Sequence, residues 1–215
     1  MRLGQRPNPP RQGTARRILE HARSAFNERG VNAVGMREIA RDLGLSPGNV
    51  SYHFATKDAL LDALVEDMHQ ENTATVEARR GPLDFAEVDR IFRAIMERDL
   101  ENRWLMRDAV GFLAARPQVR SLHERMQRAR EERITGIVSR LTAARLLDPR
   151  RTKPMLPNLR IQIFTQVFFW LPAALLIAPD QDPRQQLDAH ARAALALFLP
   201  CCTPAGRRRL EVLLG

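Results

Sequence analysis

From Met36 to Lys57 the chain reads MREIARDLGLSPGNVSYHFATK, an order of residues that leaves room for little besides two short helices joined by a tight turn. Met36, Ile39, Ala40 and Leu43 recur at helical spacing, so one side is apolar while Arg37, Glu38, Arg41 and Asp42 face water. Gly44 stops this helix by supplying the left-handed backbone that a helix C-terminus often takes. Ser46 reads as the next N-cap and Pro47 as a first-turn proline. So short a turn sets the helices at a steep angle, the helix-turn-helix arrangement, and leaves Pro47 to Phe54 free to enter a major groove of DNA.

On that second helix Val50 and Phe54 point inward, four residues apart. Gly48, Asn49, Ser51, Tyr52 and His53 are exposed, short or hydrogen-bonding groups suited to base edges and phosphates. Thr56 reads as the N-cap of a further helix, and Lys57 beside it is placed to sit over a phosphate that the helix N-terminus also attracts. Taken singly, Tyr52 or His53 is more often a packed or solvated side chain than a contact. Their joint placement favours DNA.

Four segments, ILEHARSAFNERG, MREIARDLGLS, PGNVSYHF and ATKDALLDAL, follow one another between Ile18 and Leu64. In this the chain resembles the TetR family of bacterial transcriptional regulators. The resemblance covers about the N-terminal quarter and implies that Pro47, Gly48 and Asn49 approach base edges. It implies that Tyr52, His53, Thr56 and Lys57 grip the backbone. Ser51 stands where relatives commonly carry tyrosine, and Gly35 where they carry serine or threonine, so Ser51 reaches less far and Gly35 offers no side-chain acceptor.

The resemblance implies an all-α fold, an N-terminal three-helix DNA-binding domain followed by a larger helical ligand-binding and dimerisation domain. The boundaries read as a flexible basic arm over 1–13, the helix-turn-helix domain over 14–57 and the helical domain over 58–215. Arg2, Arg6 and Arg11 of the arm are placed to touch DNA, although a merely solvated tail reads as well.

The formal net charge is +9, and residues 1 to 60 carry ten basic against five acidic side chains. The basic excess thus concentrates where polyanion binding is expected. The two cysteines, Cys201 and Cys202, are adjacent and form no ordinary staple, which suits a reducing cytoplasm. The five histidines lack ligand spacing and neither HExxH nor CxxC occurs, so no metal site and no cofactor are expected. No Gly-rich phosphate loop or nucleophile elbow is present, which argues against an enzyme.

Beyond Thr56 the pattern stays helical. Phe85, Val88, Ile91, Phe92, Ile95 and Met96 mark one helix, Trp104 to Ala114 an apolar segment, and Val119 to Leu147 a long arginine-rich helix. Two more are expected near 157–178 and 184–199. The uninterrupted apolar run Val167 to Ala178 is short of the ~20 residues a membrane span needs, so no membrane partner is expected. A membrane-surface role for the 159–178 helix is the competing reading. An apolar helix over Leu159 to Ile177 needs cover on several sides, which a homodimer through the last two long helices supplies.

The family also implies a cavity for an unknown small-molecule effector that releases the dimer from a near-palindromic double-stranded DNA operator. Candidate lining residues are Trp104, Arg107, Phe112, His123, Met126, Phe164 and Phe168, each also readable as core. Arg107, charged within an apolar segment, is expected to need a partner.

Overall fold

A computed structural model of the chain describes residues 10–77, 83–107 and 117–215. Its contacts divide the chain into two compact units, Met1–Asp67 and Met68–Gly215. The sequence places the domain boundary ten residues earlier, at the start of a helix; that helix instead runs unbroken from one unit into the other.

The first unit holds α1 (Pro10–Arg29), α2 (Met36–Asp42), α3 (Pro47–His53) and the beginning of α4 (Lys57–Glu77). Helix α1 starts at Pro10, so residues 10–13, read as part of a flexible arm, are helical; the rest of the arm lies outside the described residues. Ile18, Ala22, Ala25 and Phe26 form the buried stripe of α1. Ile39 and Ala40 of α2, Val50 of α3 and Leu60, Leu61 and Leu64 of α4 are buried in the same unit. Asp67 accepts from Arg16 at 3.0 Å and from Arg23 at 2.5 Å, pinning α1 to α4.

The second unit comprises the rest of α4 with α5 (Phe85–Glu101), α6 (Arg103–Met106), α7 (Pro117–Ala143), α8 (Pro149–Phe168), α9 (Trp170–Ile177), α10 (Pro183–Ala196), a 3-10 turn (Leu199–Cys201) and α11 (Pro204–Leu214). The apolar positions read for α5 are all buried. Phe198 packs between Phe85 and Phe92, with ring centroids 6.1 and 6.5 Å away. Ile134, Ile137, Val138 and Leu141 of α7 and Leu159, Ile163 and Val167 of α8 complete the core.

The helix expected over 157–178 is two helices. Asp148 accepts from the Arg150 amide at 2.9 Å and Pro149 opens the first turn, so α8 begins eight residues earlier than expected. The chain then bends by 60° at Phe169. Pro172 lacks the amide that would bond the Phe168 carbonyl, and its ring crowds that oxygen. Trp170, Leu171 and Ala174 are buried by the turn. Among the described residues no single helix is long and apolar enough to cross a membrane.

Helix α11 was not expected from the sequence. Thr203 caps it, accepting from the Gly206 amide at 3.0 Å, and Pro204 opens it. It seats against the end of α7, where the Thr203 amide donates to the Leu146 carbonyl at 3.0 Å and the Asp148 amide to the Cys201 carbonyl at 2.8 Å. Cys201 and Cys202 are free and buried beside this seam. Burial pushes both thiols up, Cys202 to about 11.

Candidate nucleic-acid interface and internal cavity

The turn between α2 and α3 is closed as its residues dictate. Gly44 has φ +66°, its amide donates to the Arg41 carbonyl at 3.1 Å, and the Leu45 amide reaches the Ala40 carbonyl at 2.8 Å. These paired bonds are a Schellman closure. Ser46 Oγ accepts from the Asn49 amide at 3.1 Å, and Thr56 Oγ1 caps α4 by accepting from the Ala59 amide at 3.1 Å. At Gly35, which has no side chain to offer, Glu38 reaches back to the amide at 3.4 Å. Arg29 pairs with Glu38, and His21 Nε2 lies 3.3 Å from Asp42, so α1 braces α2.

Helix α3 is held by Val50 and Phe54, both buried, and turns the remaining residues outward. Pro47, Gly48, Asn49 and Ser51 are exposed, as is Tyr52 at 63%, with His53 half-buried and its ring edge-on to Tyr52 at 5.3 Å. A Cβ added to Gly48 meets nothing closer than Ser46 Oγ at 4.0 Å, so the domain itself has room for a side chain there. Thr56 is exposed at the start of α4. Lys57 has a second engagement that its sequence context did not disclose. Its Nζ donates to the Val31 carbonyl at 2.5 Å and lies 5.8 Å from the Phe26 ring centroid, so it braces the loop after α1.

Of the residues read as cavity lining, Phe112, His123 and Met126 lie outside the residues whose side chains are described. Arg107 is exposed, so water reaches its charge. Trp104 is buried on α6 and is not among the described residues lining the cavity between α5, α7 and α8. Phe168 does line it, and Phe164 stacks on Phe168 with centroids 5.7 Å apart.

The polar side of that cavity was not anticipated. Arg130 and Arg133 of α7 and Asn72 of α4 face Ile91, Ile95, Ile134 and Ile163 across a space of about 20 Å³, room for one water. Arg130 is 8% exposed, donates to Gln127 Oε1 at 2.9 Å and lies 4.6 Å from the Phe168 ring centroid. Asp99 of α5 is buried too, near enough for its charge to act on Arg130. The register held the signal: Arg130 stands four residues before Ile134 and seven before Ile137, and Asp99 three after Met96, each on its helix's buried stripe. Thr73 and Asn72 anchor α4 within this unit, Thr73 accepting from Arg133 at 2.6 Å and Asn72 from Arg98 at 2.7 Å.

An outward-facing short helix, held across a closed turn by a braced partner in an otherwise helical chain, defines a helix-turn-helix DNA-binding regulator. Residues 18–64 match the family described as bacterial regulatory proteins, tetR family, and residues 66–210 one described as bacterial transcriptional repressor. The chain belongs to the TetR family of transcriptional regulators, which are not enzymes.

Similar curated proteins include the HTH-type transcriptional regulator BetI of Cronobacter sakazakii, 31% identical over 87 residues, which are 40% of this chain and 43% of that protein. The HTH-type transcriptional regulator UidR of Escherichia coli strain K12 is 39% identical over 54 residues, 25% of this chain and 28% of that one. The chain thus spans less than half the length of these relatives. Among solved structures, a TetR-family transcriptional regulator from Marinobacter aquaeolei VT8 superposes with a TM-score of 0.78 at 20% identity, over 94% of this chain and 97% of that one. A gamma-butyrolactone receptor, an ArpA-like protein, gives 0.62 at 15% identity over 95% and 96%. At such identities these two likenesses speak to fold alone.

Proposed function

We propose that the chain is a homodimeric repressor that reads a near-palindromic operator with α3 and is released by a small, partly apolar effector. The observation that carries this reading is the outward display of Asn49, Ser51 and Tyr52 on a helix whose inner face is locked by Val50 and Phe54. Asn49 is suited to a bidentate contact with adenine, and Ser51, Tyr52, His53 and Lys57 to phosphates or base edges. Gly48, for which the fold has no steric need, lets a DNA strand come close to the α3 backbone.

The dimer forms through α8, α9 and α10. Ile161 is 67% exposed, Leu176 83% and Ile177 75%, apolar area that a two-fold partner would cover. Two α3 helices then meet half-sites centred ~34 to 36 Å apart. The effector enters the α5–α7–α8 cavity and acts through α4, which is shared between the two units. A ~100-fold weakening of operator binding requires about 2.7 kcal/mol of differential affinity. Such a regulator works in the cytoplasm, where its DNA is.

The test is a gel-shift titration of the full chain on DNA flanking its own coding region, with Asn49→Ala and Tyr52→Phe alongside, and sedimentation of the free protein. Asn49→Ala should lose roughly 5- to 100-fold in affinity and relax sequence preference at one position per half-site. A monomer at micromolar concentration, or binding that ignores sequence, would overturn the reading.

A further inference from the structure

Helix α11 has two unlike faces. Gly206 and Leu210, four residues apart, are buried, and Gly206 leaves no room for a Cβ against the Leu146 carbonyl, so the helix is firmly seated on the second unit. Arg208, Arg209, Val212 and Leu213 share the outward face, the second pair four residues after the first. With Asp84, Phe85 and Ala86 at the start of α5 they line an open groove of about 400 Å³.

This groove is apolar inside and positive at its rim. Val212 is 82% exposed and Leu213 36%, apolar area that is left to water beside the buried Phe85. Arg207 is occupied by Glu211 at 3.2 Å, whereas Arg208 and Arg209 form no ion pair among the described residues. Asp84, the one carboxylate in the lining, caps α5 by accepting from the Glu87 amide at 2.8 Å, and Glu87 pairs with Arg90 at 2.7 Å. Two guanidiniums thus face the groove against one carboxylate that already has a task.

We propose that the groove docks a short acidic segment of another protein, whose large apolar side chains enter between Val212, Leu213 and Phe85 and whose carboxylates meet Arg208 and Arg209. Charge complementarity selects an acid, since a basic segment would bring its own cations against two guanidiniums. Concavity selects a peptide over a lipid surface, because side chains can enter a cleft between two helices and a flat bilayer cannot follow it. An amphipathic helix laid along α11 places anchors at i and i+4 to match Val212 and Leu213. The rim charges are exposed, so they govern partner choice and salt dependence more than affinity. The groove is made by second-unit residues alone and needs nothing from α3.

The experiment uses the full chain and three fluorescent peptides of about twelve residues, read by anisotropy. One carries two leucines four positions apart among aspartate and glutamate, the second replaces the leucines by serine, and the third replaces every acid by lysine. The acidic leucine peptide should bind at least roughly tenfold more tightly than either control and weaken as salt rises from about 50 to about 500 mM. Arg208→Glu combined with Arg209→Glu should remove that preference and transfer it to the lysine peptide, and Val212→Ser should weaken the acidic leucine peptide severalfold. All three positions are exposed, so thermal midpoints should stay at the wild-type value; if the double variant does not fold, Val212→Ser and the peptide comparison still decide. Equal binding of the three peptides, or no binding of the acidic leucine peptide at millimolar concentration, would overturn the proposal. So would a change in the sedimenting mass of the free chain caused by the double variant, which would assign the groove to a second copy. Capture of wild type but not the double variant by phosphatidylglycerol vesicles, with no peptide bound, would assign it to a membrane and overturn the proposal as well.

Discussion

Trp170 Nε1 donates to Asp99 Oδ2 at 3.2 Å, tying the first residue of α9 to the buried face of α5. Burial pushes the Asp99 carboxyl well above the usual carboxylate range, and the charge of Arg130, the Trp170 hydrogen bond and the charge of Arg98 offset only part of this. Burial also lowers Arg130, to about 10, against the pull of Asp99.

The folded chain therefore holds the Asp99 proton more tightly than the unfolded chain does. Stability falls as pH rises from the ordinary value of 3.8 to the raised folded value, and levels off beyond it. Asp99→Asn keeps an acceptor for Trp170 and removes this slope. Urea midpoints measured across pH should show the variant gaining on wild type as pH rises; a wild type that gains on the variant would mean that attraction to Arg130 outweighs burial.

Lys57 should prove structural as well as DNA-binding. Removing a charged donor from the Val31 carbonyl by Lys57→Ala should cost about 1 to 2 kcal/mol of stability in addition to weakening operator affinity. A lysine that serves phosphates alone would leave the thermal midpoint of the free protein unchanged, so the melting curve without DNA separates the two roles.

The same turn closure is used twice with different residues. After α7, Arg145 occupies the left-handed position at φ 59°, its amide on the Thr142 carbonyl at 2.9 Å and the Leu146 amide on the Leu141 carbonyl at 3.0 Å, matching the bonds around Gly44. A side chain in that conformation costs about 1 kcal/mol that glycine avoids. Arg145→Gly should stabilise and Gly44→Ala destabilise by about that amount, opposite shifts readable by denaturant titration.

Gly206 is required for a different reason. A Cβ there would stand 2.0 Å from the Leu146 carbonyl oxygen, which is backbone and has no easy way to yield. Gly206→Ala should therefore displace α11 from the end of α7 at a cost of about 1 to 3 kcal/mol. Hydrogen exchange should rise first in residues 202–214.

What was legible in the residues was local. Gly44, Ser46, Pro47 and Thr56 act on backbone within a few positions of themselves, and Val50 and Phe54 show the core face of α3 by spacing alone. The α5 stripe was equally plain. The break at Phe169 was not, because an apolar run hides the effect of Pro172 three residues on. Arg130 and Asp99 were passed over because a charge on a buried stripe looks like a register slip until Phe168 and Trp170 arrive from elsewhere to receive it. The Lys57 bond to Val31, across 26 residues, is likewise a product of tertiary packing.

The two thiols beside the α7–α11 seam form a built-in clock. Cys201 and Cys202 are buried, and burial holds both largely as unreactive thiols at neutral pH. An alkylating reagent must wait for that seam to open, so with reagent in excess the labelling rate reports the opening frequency at this end of the chain. Any ligand that tightens the second unit should slow the reaction, without a chromophore, a label or a known operator.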